Sequence, residues 1–344
     1  MNADANTAKY SGPDTAKLHP EGVLDRMKAL YAEGIAGYMD EVDGGLELKD
    51  ECAERVSCYL CGSEQSRPFL KASGFRYVQC LDCDMVYVNP RLRADLIDMF
   101  YKSDAYNFMF ENMLMKSVDY RLENIAKRKF DAVSRFFPDT KPQLLDIGCG
   151  IGDFAHLAEG GGWSVQAIEF SPMAAGYARE RFGLNVLEKP LEECSFAEEQ
   201  FDVVTMWGVL EHLLEPRQLL RQIRDFLTDG GLLVVEVPSF DCLLVEYLKA
   251  HPEQADRIID GWGHVTLFSV PTITRMLQEQ GYVVEQIQSL GLDIPTILRY
   301  VQTADPAAAE HPLHRFLDEY GQPLQDCLES MHKADMIRVF VRKA

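Results

Sequence analysis

Leu144-Leu145-Asp146-Ile147-Gly148-Cys149-Gly150-Ile151-Gly152-Asp153-Phe154 reads as a buried strand, a glycine-rich turn and the opening of a helix. Gly148, Gly150 and Gly152 lack a Cβ, so the backbone can turn sharply there and a ligand can come within van der Waals contact. The same grammar repeats downstream. Val165–Phe170 reads as a second strand, and Ser171-Pro172 as an N-cap with proline in the first helical turn of a helix that Gly183 stops. Leu184–Leu187 and Phe201–Met206 are expected as third and fourth strands. Leu219, Leu220, Ile223, Phe226 and Leu227 then form an apolar helical stripe, broken by Gly230-Gly231 before a fifth strand, Leu232–Val237. A helix over Pro271–Gln280, a strand over Tyr282–Ile287 and a last strand over Met336–Val341 complete the series. Such alternation predicts a mostly parallel sheet with helices on both faces.

Glu169 closes the second strand, at the crevice where open α/β sheets bind ligands, and its carboxylate can accept hydrogen bonds from both hydroxyls of a ribose. A dinucleotide site is the rival. Its fingerprint is GxGxxG, whereas this loop reads GxGxG and follows an acid, Asp146. Five landmarks in register now resemble the class I, Rossmann-like S-adenosylmethionine-dependent methyltransferases, particularly the group with the ubiquinone-type O-methyltransferases. They are LLDIGCGIGDF (144–154), the acid Glu169, FDVVTMWGVLEHLLEP (201–216), LTDGGLLVVEVP (227–238) and HVTLFSVPT (264–272). The resemblance spans about Leu144–Leu290. It implies a seven-stranded Rossmann-like methyltransferase sheet and S-adenosylmethionine as cofactor. Carried over, Asp146, Gly148, Cys149, Gly150 and Gly152 would hold the methionine portion, Glu169 the ribose, and Phe170 and Leu191 the adenine. Met206 and Trp207 would face the sulfonium, although a core role suits Trp207 equally well. Tyr101 and Tyr106, ahead of the core, would close over the cofactor or pack within their helix.

Methyl transfer from a sulfonium is a direct displacement, so alignment in a dry pocket is the main requirement, and positioning supplies roughly 7–11 kcal/mol in favourable cases. A base is needed only for an acceptor protonated at working pH. His212, directly after the fourth strand, is the first candidate and His264 the second, because a neutral imidazole titrates near pH 7. Either could instead organise its loop, and Glu211 reads as structural.

Nine cysteines include two CxxC pairs, Cys58/Cys61 and Cys80/Cys83. Two thiolate pairs can close a tetrahedron around a structural Zn²⁺, and the set leaves no open position for catalysis. The flank resembles the small zinc ribbon preceding the core of some bacterial methyltransferases. The expected organisation is a mobile tail and helical arm (1–50), the ribbon (51–92), a helical cap (93–140), the cofactor-binding core (141–290), and a helical insertion with a final antiparallel strand (291–344). The arm's helix is carried by Val23, Leu24, Met27, Leu30 and Tyr31, and Asp40–Asp50 reads as a linker. The insertion, Gly291–Ala334, suits a specificity element over the site or a plain packing helix pair.

Across 344 residues, 54 acids against 34 bases give a net charge of −20, and no dense Lys/Arg cluster offers a polyanion a footing. Nucleic acid is therefore not expected as substrate. No apolar run approaches the ~20 residues of a membrane span, and the amino terminus has no signal-peptide pattern. The expectation is a cytoplasmic enzyme acting on a small molecule, O-methylation first, with N- or C-methylation of a metabolite or nucleotide sugar as alternatives. A non-catalytic scaffold on a methyltransferase fold is the reading from another class. No residue pattern sets the oligomeric state.

Overall fold

The computed structural model describes residues 12–18, 20 and 22–344; the expected tail falls mostly on residues 1–11, outside the described residues. Its centre is a seven-stranded sheet. In spatial order the strands are Val186–Leu187, Ser164–Ile168, Gln143–Ile147, Phe201–Trp207, Leu227–Pro238, Met336–Lys343 and Tyr282–Leu290. The first five run parallel, and Met336–Lys343 is antiparallel to both its neighbours. Between Gln143–Ile147 and Phe201–Trp207 the strand order reverses direction, which opens a crevice at their carboxyl ends.

Side chains alternate between the two faces of a strand, and the core divides accordingly. Leu145, Val204, Met206, Leu233 and Val235 pack with Leu219, Leu220, Ile223, Ile273, Met276 and Leu277, from helices Pro216–Phe226 and Val270–Glu279. Leu144, Val203, Leu232 and Val234 pack instead with Val133, Phe154 and Ala158 on the opposite face. Near-continuous apolar strands are what a doubly covered parallel sheet requires. Local signals hold as well. Ser171 accepts from the Ala174 N–H with Pro172 next to it, and Gly183 ends that helix in the left-handed conformation.

Two expectations need correcting. The stretch read as a linker is a hairpin, with Met39–Val42 paired to Gly45–Leu48. Its turn is Asp43-Gly44, both at positive φ, the geometry that Asp-Gly favours in two-residue hairpins. The helix expected to continue to Gly230-Gly231 ends at Phe226, and the fifth strand already begins at Leu227.

The cysteine-bearing segment builds a four-stranded sheet ordered Thr266–Leu267, Val86–Val88, Phe75–Cys80, Ser66–Ala72. Its edge strand comes from the core segment: Thr266 pairs with Tyr87 and Leu267 with Val86. Approach is close on this side. A Cβ on Gly261 would lie 2.3 Å from Phe75, and one on Gly34 would lie 2.7 Å from Trp262. The amino-terminal elements are thus packed directly onto the 260–264 loop. The insertion forms Asp293–Ala304, Pro306–Glu310, Pro312–Glu319 and Gly321–Ser330. No helix among the described residues is long and apolar enough to cross a membrane.

Candidate active site

A cavity of about 830 Å³ runs from the glycine-rich loop to the amino-terminal helix Val23–Ile35. Gly148 and Cys149 donate to the Ile168 carbonyl at 2.8 and 3.0 Å, which lashes the loop to the end of the second strand. Gly148 has φ +69° and a Cβ there would sit 2.6 Å from Val209; Gly152 has φ +82° and would meet Leu184 at 2.6 Å. Both positions therefore need glycine for conformation and for space. Gly150, at φ +57°, has no protein atom within 4 Å of where its Cβ would be.

Glu169 is buried, and its two oxygens accept from the N–H groups of Gly150 and Ser171, both at 2.8 Å. Burial raises its pKa, with the three backbone donors pulling the other way. Each carboxylate oxygen retains a second lone pair for a ligand hydroxyl. Phe170 beside it is 39% exposed, lines the cavity and meets Tyr101 edge-on at 5.5 Å. Leu191, Tyr101 and Tyr106 also form cavity wall, with the two tyrosine rings 5.2 Å apart.

Three anticipated residues lie behind the wall. Gly152 packs under the helix it begins. Met206 is fully buried toward the Pro216–Phe226 face, because strand alternation sends it opposite to Trp207. Asp146 is fully buried, accepting from the Thr205 hydroxyl at 2.7 Å with its Oδ2 unpartnered, and burial pushes it up to about 7. Trp207 does line the cavity, its ring 4.9 Å from Phe154 and under the cations of Lys129 and Arg338 at 4.6 and 5.2 Å. Both cations pair with buried Glu236, Lys129 at 3.2 Å and Arg338 at 2.5 Å.

At mid-cavity the rings of His212 and His264 stand 4.7 Å apart. Nδ1 of His212 faces the Gly263 carbonyl at 2.9 Å, and Nδ1 of His264 faces the Ile258 carbonyl at 2.7 Å. A carbonyl only accepts, so each Nδ1 carries the proton and each Nε2 keeps a lone pair. Burial, then His264, pulls His212 down to about 3, so it stays neutral. Glu211, unremarkable as sequence, completes the group: its ligand atom and those of both histidines lie within 4.8 Å of one another. Its Oε2 is buried without a partner, and burial pushes the carboxyl up to about 7 against the pull of His264. The three are brought together because Val265 N–H bonds the Glu211 carbonyl at 3.0 Å.

Beyond the histidines lie Asp98, Asp256, Arg257 and Asp260, which carry no sequence signal, and Tyr31, legible in sequence only as part of the arm's helical face. They belong to loops and an arm whose meeting is purely tertiary. Among the described residues, none of 291–334 lines the cavity. The insertion touches it at one remove, through Arg299 and Tyr300 on Asp256.

Away from the cavity, Cys58, Cys61, Cys80 and Cys83 converge, with Cys58–Cys83 and Cys61–Cys80 sulfurs at 3.4 and 3.5 Å. These distances exceed an S–S bond and approach the edge of about 3.8 Å of a tetrahedron with Zn–S near 2.3 Å. Arg217 reaches the Leu60 carbonyl here, tying the cluster to the core helix.

Residues 120–287, just under half the chain, match the family model described as a methyltransferase domain. Over 157 residues the chain is 31% identical to the mitochondrial ubiquinone biosynthesis O-methyltransferase of Schizosaccharomyces pombe, covering 43% of this chain and 57% of that protein. Over 122 residues it is 34% identical to the ubiquinone biosynthesis O-methyltransferase of Cereibacter sphaeroides, covering 34% and 49%. The chain thus spans about half the length of the curated relatives it matches. A crystal structure of an S-adenosylmethionine-dependent methyltransferase from Archaeoglobus fulgidus superposes with a TM-score of 0.44 at 18% identity, over 69% of this chain and all of that one.

Proposed function

We propose that this chain, a class I S-adenosylmethionine-dependent methyltransferase by its core, transfers the cofactor's methyl group to a small-molecule acceptor, most readily at oxygen. The observation that carries this reading is the Glu169–Gly150 contact at the strand-reversal crevice, opening onto a cavity that holds two imidazole lone pairs. When bound, the cofactor supplies an electrophilic methyl group. Glu169 would hold the ribose through its spare lone pairs, and Phe170 and Leu191 would flank the adenine. Gly150 allows close approach. Asp146, with Oδ2 unpartnered beneath the loop, would support the methionine end as a hydrogen-bonding group under the backbone.

His264 is the stronger candidate for base. Glu211 beside it can stabilise the imidazolium that forms when Nε2 takes the acceptor's proton, whereas His212 is held neutral by burial. His212 would then position the acceptor. The convergence of one ligand atom each from Glu211, His212 and His264 also supports a second reading, in which the trio holds a divalent cation that polarises the acceptor oxygen. Turnover lost on chelation and regained with added Fe²⁺ or Mn²⁺ selects that reading; turnover indifferent to chelation selects the base. The Cys58/Cys61/Cys80/Cys83 set fits a closed structural Zn²⁺ site, which would fix the module that donates Val86–Val88 to the edge strand near His264.

The primary test is calorimetry with S-adenosylhomocysteine, followed by transfer from methyl-labelled cofactor into a small-molecule extract. Absence of cofactor binding would refute the proposal. Binding without labelled product across broad extracts would favour a scaffold.

A further inference from the structure

The half of the cavity beyond His212 and His264 differs from the nucleoside half in its charges. It is reached along a line of edge-on aromatic contacts: Phe170 to Tyr101, Tyr101 to Phe100 at 5.6 Å, Phe100 to Trp262 at 5.3 Å, and Trp262 to Tyr31 at 5.7 Å. Two cations border it and both are spoken for. Lys28 pairs with Asp256 at 3.3 Å, and Arg257 grips Asp335 through both terminal nitrogens. Asp256 is in turn held by Arg299 and the Tyr300 hydroxyl.

Two carboxylates on the same wall have no such partner. Among the described residues, no cation forms an ion pair with Asp98 or Asp260. Asp260 Oδ1 accepts from the N–H groups of Trp262 and Gly263, both at 3.2 Å, which fixes the side chain at the cavity wall. The Tyr31 hydroxyl hydrogen-bonds the same carboxylate. Asp98 is exposed and Asp260 half-buried, so what this wall offers a ligand is negative charge that no cation among the described residues neutralises by an ion pair.

We infer that the acceptor's body, beyond the atom that is methylated, carries hydrogen-bond donors or a positive charge opposite Asp260 and Asp98, and bears no phosphate or carboxylate there. Acceptors such as amines and polyhydroxylated rings fit this wall. Phosphorylated acceptors, including nucleotide sugars, would meet two carboxylates, while Lys28 and Arg257 at this end are already paired. The inference rests on the methyltransferase reading, since it takes the near half of the cavity to be filled by the cofactor.

The test uses the full chain saturated with S-adenosylhomocysteine and three matched probes: dopamine, 4-ethylcatechol and 3,4-dihydroxyphenylacetate. They share a ring and differ in the charge of the side chain. Dopamine should bind at least about tenfold more tightly than the carboxylate probe, with 4-ethylcatechol between, because charge is reversed a few Å from a carboxylate at protein-like dielectric. In the Asp98→Asn/Asp260→Asn double variant that gap should close to within about twofold, while affinity for S-adenosylhomocysteine stays unchanged. The inference is overturned if the carboxylate probe binds as well as dopamine, if the preference survives in the double variant, or if none of the three binds at about 10 mM. Failure to bind S-adenosylhomocysteine at all would instead refute the underlying reading, before any probe is added.

Discussion

Replacing Glu169 by glutamine isolates the contribution of one carboxylate to cofactor binding. In the folded chain its oxygens take the Gly150 and Ser171 N–H groups at 2.8 Å each, so the side chain is fixed before any ligand arrives. Two ribose hydroxyls donating to its remaining lone pairs would form charge-assisted bonds, worth roughly 1.5–3 kcal/mol each. Glutamine keeps one oxygen and turns an NH₂ toward the other backbone donor, so one ribose bond becomes neutral and the other is lost. The net loss is about 2–4 kcal/mol, or roughly 30- to 1,000-fold in Kd. Isothermal titration of S-adenosylhomocysteine into both proteins measures it, with circular dichroism to confirm that the variant is folded. Adenosine alone should weaken by the same factor, because the contact is to the ribose. A folded variant whose Kd changes less than about threefold for both ligands would refute this assignment.

Other expectations follow from neighbouring features. Gly148→Ala places a Cβ 2.6 Å from Val209 at φ +69°, so melting should drop by the equivalent of roughly 1–3 kcal/mol along with cofactor affinity. Glu211→Gln should lower kcat without altering Kd for S-adenosylhomocysteine; the wild-type kcat should rise through about pH 7 as Glu211 ionises, and the variant should lose that limb. A pH–rate profile unchanged by the substitution would remove Glu211 from the chemistry. Burial alone would raise Glu236, but Lys129 and Arg338 overcome it and hold the carboxyl at about 2. Its folded pKa is depressed, so its stabilisation is complete above the unfolded carboxylate's pKa of about 4.3 and is lost as pH falls toward 2. Glu236→Gln leaves two buried cations uncompensated and should cost about 3–5 kcal/mol in denaturant unfolding. Cys80→Ser should abolish stoichiometric zinc in metal analysis and lower the melting temperature; full zinc in that variant would overturn the four-thiolate site.

Much of the chain's architecture was legible in local pattern. Strand, glycine turn and helix in alternation specify a doubly covered parallel sheet, because a strand buried on both faces must be apolar throughout and its crossover must be a helix. Ser171-Pro172 and Gly183 mark helix ends by chemistry that acts within four residues. The convergence of four cysteines was readable because two CxxC pairs at this spacing suit a single tetrahedral centre. Asp43-Gly44 was equally local and was missed, since acidic content hid a two-residue hairpin turn.

Local pattern alone therefore specified the sheet, the glycine loop with Glu169 at its side, and the cysteine tetrad. Each depends on periodicity or short-range geometry. Folding in three dimensions was needed to turn Met206 away from the cavity while Trp207 lines it, to seat Asp146 beneath the loop, and to bring Glu211 to His264 across 52 intervening positions. It also decided that the distal wall combines Tyr31, Asp98 and Asp260 from three segments. Those contacts are set by packing between elements far apart in the chain, where burial, orphaned lone pairs and ion pairs are properties of the assembled neighbourhood and of no single segment.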